Sequence, residues 1–107
     1  MYTRVVELTA RKGQAKELVR TIDEKGTSIL KGSQGFMDVM CLISDENPDR
    51  VLGLSFWNTK QDAERYTREQ FPKFAELMRD SIEGTPTVRT FEVEHSSYHH
   101  VAQGKAA

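Results

Sequence analysis

The chain has 107 residues, 37% hydrophobic and 29% charged, which fits one soluble domain with a modest core that oligomerisation would reinforce. A formal net charge of −1 leaves no electrostatic footprint for nucleic acid or an anionic membrane, and no apolar run is long enough to span a bilayer. Met1-Tyr2-Thr3-Arg4-Val5-Val6 lacks the apolar core of a signal peptide, and a lone cysteine, Cys41, excludes an internal disulfide, so a cytoplasmic location is expected.

A first strand is expected over about Tyr2 to Thr9, with Tyr2, Val6 and Leu8 on one face and Thr3, Val5, Glu7 and Thr9 on the other. A helix then begins near Gly13-Gln14. Ala15, Leu18, Val19, Ile22, Ile29 and Leu30 form its apolar stripe. Gly26 either weakens this helix by up to about 1 kcal/mol or permits a close approach. Gly32-Ser33-Gln34-Gly35 ends it.

The second strand, Phe36 to Ser44, is apolar on both faces: Met37, Val39, Cys41 and Ile43 on one, Phe36, Met40 and Leu42 on the other. Cys41 in such a run reads as a buried, inert thiol. Asp45-Glu46-Asn47-Pro48-Asp49 is too short for a crossover, so the third strand, Arg50 to Trp57, returns antiparallel. It too is apolar on both faces, and it ends on the one tryptophan of the chain. Asn58 with Gln61, or Thr59 with Asp62, can cap the helix that follows.

The second helical region runs from Thr59 to about Ile82, with Ala63, Tyr66, Phe74, Leu77 and Met78 as its stripe. Pro72 removes an N–H inside this pattern and predicts two pieces jointed at Glu69-Gln70-Phe71. Glu83-Gly84-Thr85-Pro86 is expected to end the region, and a fourth strand to run from Thr87 to about His95. Arg89, Phe91, Val93 and His95 share one face of it. The chain thus reads as one domain, 1–107, with a core over 2–95 and a tail over 96–107.

The order β-α-β-β-α-β predicts an α+β fold of the ferredoxin-like, split βαβ kind, an antiparallel four-stranded sheet with both helical regions on one face. The second face of strands two and three would be exposed in a monomer, so a two-fold homodimer packed sheet to sheet is expected.

Phe56-Trp57-Asn58-Thr59-Lys60-Gln61-Asp62-Ala63, Tyr66 and Glu69-Gln70-Phe71-Pro72-Lys73-Phe74, in this order of elements, resemble the antibiotic biosynthesis monooxygenase (ABM) family over about Val5 to Val93. The resemblance implies a dimeric α+β barrel. It also implies cofactor-independent oxidation of aromatic polyketides, such as anthrone to quinone. A haem-degrading branch needs an asparagine on strand one, an aromatic on the second helix and a histidine about three turns on. The corresponding places here fall near Val6 or Glu7, at Tyr66 and near Glu76, so that chemistry is disfavoured.

Trp57 is either a pocket wall whose N–H meets a substrate oxygen or a core anchor worth roughly 1.5–3 kcal/mol by burial. Tyr66 either donates a proton to bound oxygen or sits semi-buried with its hydroxyl at the rim. Phe36, Met40, Phe71, Phe74, Met78 and Phe91 supply the apolar lining of a substrate pocket, or plain core. His95 is the candidate base for a cofactor-free oxygenation, and Arg89 either steadies an anionic substrate or joins an interface ion pair. His95, His99 and His100 lack a carboxylate shell or second ligand motif, so no metal is expected. No phosphate loop, nucleophile elbow or flavin fingerprint is present, and no cofactor is expected. The overall expectation is a homodimeric monooxygenase acting on a small aromatic or quinone-like molecule, or a non-catalytic ligand-binding or dimerisation module on the same fold.

Overall fold

Alternation of buried and outward side chains from Arg4 onward builds the inner strand β1 (Tyr2–Ala10), in a computed structural model that describes residues 1–99. A three-part helical segment follows: α1 (Ala15–Thr21), a π-helical turn (Ile22–Gly26) and α2 (Thr27–Lys31). Then come β2 (Phe36–Ile43), β3 (Arg50–Trp57), α3 (Lys60–Glu69), α4 (Phe71–Met78), a 3-10 turn (Arg79–Ser81) and β4 (Ile82–Glu92). The sheet has the order β2-β3-β1-β4 and every pairing is antiparallel, as the β-α-β-β-α-β order predicts.

Residues opposite one another across the ladder share a face, so the registers define rows. Facing the helices are the rows Tyr2–Trp57–Phe36, Arg4–Ser55–Val39 and Val6–Gly53–Cys41. Val6, Leu8, Val51 and Trp57 pack there against Leu18, Ile22, Leu30, Ala63, Tyr66, Phe74 and Met78 in one core. The outer face carries Thr3–Phe56–Asp38 and Val5–Leu54–Met40, continued on β4 by Phe91 and Arg89.

Several local features depart from the sequence reading, among them the π-helical turn inside the first helix and the end of β4 at Glu92, which leaves Val93 and His95 beyond the strand. Phe36 does not share a face with Met40 and Leu42, because the β2–β3 register shifts between Phe36 and Asp38. The shift turns Phe36 onto the helix side, where its ring meets Trp57 edge-on at 5.7 Å. Glu83-Gly84-Thr85-Pro86 is not a helix stop but the start of β4. The β1–β4 register shifts between Glu7 and Thr9, with Gly84 at φ +68°, and Pro86 is tolerated because β4 is an edge strand.

The helix ends follow local chemistry. Thr59, rather than Asn58, caps α3 by accepting the Asp62 N–H at 3.1 Å. The break between α3 and α4 falls at Gln70, and Pro72 sits in the first turn of α4, where its missing N–H costs nothing. Gly26 serves close approach: a Cβ there would stand 2.5 Å from Phe74 Cζ. No helix among the described residues is long and apolar enough to cross a membrane.

Candidate functional site

A small cavity of about 30 Å³ lies between the helices and the sheet. Its apolar walls include Ile22, Leu30, Val39, Phe71, Phe74 and Met78, and its floor is β3 at Gly53-Leu54-Ser55. Gly53 creates the space, since a Cβ added there would meet nothing within 4 Å. The polar side chains at the cavity are Arg4, Ser55, Tyr66 and the Cys41 thiol.

Arg4 belongs to the inward face of β1 and is 2% exposed. Its Nε donates to Thr67 Oγ1 at 2.7 Å, and Thr67 in turn donates to the Ala63 carbonyl at 2.9 Å. Its guanidinium lies 4.0 Å from the Phe71 ring centroid and 5.3 Å from that of Tyr66. Nη2 is buried and has no hydrogen-bond partner. Burial lowers the pKa of Arg4 and proximity to Tyr66 opposes this, but an arginine remains charged under any ordinary condition.

Tyr66 is 3% exposed and its ring lies 4.9 Å from that of Trp57. Burial raises the phenol well above its ordinary pKa, with nearby Arg4 pulling the other way, so the hydroxyl is neutral and can donate a hydrogen bond. Cys41 is half-buried rather than buried as expected, and burial raises its thiol, with Asp23 adding to the effect.

Trp57 is fully buried, and its Nε1 donates to Ser55 Oγ at 2.9 Å. It stands with Phe36 as a layer behind Tyr66, its N–H already engaged. Tyr66, Phe71, Phe74 and Met78 therefore meet around the cavity. Met40, Arg89 and Phe91 lie on the opposite face of the sheet. Arg89 there approaches Glu7 at 3.6 Å, and Glu7 also pairs with Arg50. His95 is exposed and lines an outer cleft with Met40, Phe56 and Tyr98, so the sheet lies between it and Tyr66. His99 is in the same cleft with its ring 6.2 Å from Phe56, while His100 lies outside the described residues. Among the described residues no group of three or more His, Cys, Asp or Glu could hold a metal ion. Glu76 is exposed and paired with Arg79, and Val6 is a core residue.

Arg4 is the residue that the sequence reading passed over. The signal was its register: Tyr2, Arg4, Val6 and Leu8 alternate onto one face, which places a cation between core positions.

The model of the antibiotic biosynthesis monooxygenase family matches residues 1–79. No curated protein matches the chain. Among solved structures, a Bordetella bronchiseptica protein bearing the antibiotic biosynthesis monooxygenase name superimposes with a TM-score of 0.74 at 14% identity, over 86% of this chain and 95% of its own. SnoaB of Streptomyces nogalater, a cofactor-independent oxygenase, gives 0.73 at 15% identity over 90% and 95%. A Nitrosomonas europaea protein of the same family name gives 0.69 at 14% over 89% and 100%. At these identities the likeness is one of fold. The match over residues 1–79 shows that the chain belongs to the antibiotic biosynthesis monooxygenase family.

Proposed function

We propose that the protein is a cofactor-independent monooxygenase that oxidises a small aromatic or quinone-like substrate in the cavity between helices and sheet. The observation that carries the reading is a buried apolar cavity meeting three polar groups, Arg4, Ser55 and Tyr66, in a chain of this family. The fold shared with SnoaB, itself a cofactor-independent oxygenase, supports it. In such a reaction an activated CH2 becomes C=O. One oxygen atom of O2 enters the product and the other leaves as water. The ionised substrate supplies the electrons, and the protein supplies orientation, a dry site and a proton from neutral Tyr66.

The cavity of about 30 Å³ is smaller than an aromatic ring, so in this proposal its lining moves to admit one, with the half-buried Phe71 the candidate to shift. Phe71 is the first residue of α4, directly after the break at Gln70, and is half-buried. The small volume of the cavity favours, as a second reading, a non-catalytic ligand-binding or dimerisation module. Oxygen uptake with a panel of hydroquinones and anthrones separates the two: turnover supports the monooxygenase, and its absence supports the module.

The working unit in this proposal is a homodimer through the outer sheet faces. Met40, Leu42 and Phe91 are 46%, 47% and 51% exposed on that face, a patch that a partner would cover. His95 and Arg89 would then face the partner rather than the cavity. The proposed location is the cytoplasm, where a lone thiol such as Cys41 stays reduced.

A further inference from the structure

A guanidinium taken out of water without a counter-ion is costly, and folding tolerates it only where something offsets the cost. Thr67 Oγ1 and the faces of Phe71 and Tyr66 offset part of it for Arg4, but Nη2 is left buried and unpartnered. Arg4 also belongs to the cavity wall, one row from the open space at Gly53. The other titratable groups lining that cavity, Cys41 and Tyr66, are both held protonated by burial. Among nearby carboxylates, Glu7 pairs with Arg50 and Arg89 on the outer face and Asp62 with Arg65 on α3, while Asp23 on the π-helical turn acts on Cys41 but does not line the cavity. The cavity is thus a mainly apolar space whose one charged lining residue, Arg4, keeps a buried nitrogen without a hydrogen-bond partner.

We propose that Arg4 is the ligand anchor of this cavity and that the ligand is a hydroxyaromatic molecule bound as its oxyanion, the charged oxygen on Nη2. The inference rests on the reading of the cavity as an aromatic site. It adds that the substrate is ionised by the field of Arg4, its O–H proton leaving to bulk water. No side-chain base inside the cavity is then required, which accounts for His95 standing on the other side of the sheet. Arg4 acts as a binding and ionising residue, and Tyr66 remains the proton donor.

The test uses 4-nitrophenol as a non-reacting probe, because its phenolate absorbs separately from the phenol. With the whole wild-type chain, the ionisation midpoint of the bound probe is expected about 1–3 pH units below that of the free probe. In Arg4→Met the shift disappears and phenolate binding weakens at least about tenfold, while Arg4→Lys retains part of both. Gly53→Ala, whose methyl group fills the space, weakens binding with Arg4 intact. An unshifted midpoint, no binding of the phenolate, or nitrobenzene binding the wild type as tightly as nitrophenolate overturns the proposal. The nitrobenzene comparison needs no variant, so misfolding of Arg4→Met does not blunt the test. A shifted midpoint without oxygen uptake on any hydroquinone or anthrone keeps this role for Arg4 and removes the monooxygenase reading. Uptake with an unshifted midpoint does the reverse.

Discussion

The Arg4 guanidinium lies 4.0 Å from the centroid of the Phe71 ring, so the first residue of α4 covers a buried cation on β1. This contact and the Thr67 hydrogen bond work against the desolvation of the charge. Arg4→Met removes both sides of that balance while keeping an unbranched apolar stem. Unfolding in urea is expected to show a stability within about 1 kcal/mol of wild type. A loss of more than about 3 kcal/mol would mark Arg4 as a structural cation and not a ligand anchor.

Gly26 ends the π-helical turn with the Phe74 ring against its backbone. Gly26→Ala gains helix propensity of up to about 1 kcal/mol but forces Phe74 to move, and overpacking of this kind costs about 1–3 kcal/mol. The expected net result is a lower denaturation midpoint that Phe74→Leu in the same chain partly restores. A Gly26→Ala protein more stable than wild type would show that this contact is not tight.

Tyr66 has a pKa in the folded chain raised above its ordinary value of 10.0 by burial. A group whose folded pKa is raised contributes stability fully present below the unfolded pKa and lost as pH rises towards the folded one. Wild-type stability should therefore fall above about pH 10, and Tyr66→Phe should flatten that fall while leaving the profile below pH 9 parallel. Parallel loss in both proteins above pH 10 would place the Tyr66 phenol in contact with water.

The outer sheet face presents Met40, Leu42 and Phe91 to solvent in one chain. Light scattering at micromolar concentration is expected to give a dimer, and Leu42→Lys, which places a charge in the patch, a folded monomer. A monomeric wild type would remove the dimer from the account.

The order of elements, the antiparallel hairpin and the helix break near Pro72 were all legible in the sequence, because periodicity and proline chemistry act locally. The side on which Phe36 packs was not, since a single register shift against β3 reverses it. The start of β4 was hidden for a similar reason: Gly84 and Pro86 look like punctuation unless the β1–β4 irregularity is known. Burial of Trp57 could be anticipated, whereas its hydrogen bond to Ser55, which takes its N–H out of the candidate site, depends on both side chains sharing the inner face of β3. Arg4 was overlooked because arginine is ordinarily a surface residue; only its alternation with Val6 and Leu8 marks it as inward. Site residues on different elements meet only once the registers are fixed, which is why Tyr66 and His95 proved to be separated by the sheet.

The most direct test of the monooxygenase reading is oxygen consumption by the purified chain, without added cofactor, on a panel of hydroquinones and anthrones. The expected result is uptake of one O2 per quinone formed from an anthrone, with one oxygen atom in the product and the other in water, slowed at least about tenfold in both Arg4→Met and Tyr66→Phe. No uptake above the uncatalysed rate with any member of the panel would contradict it, as would rates that neither substitution changes.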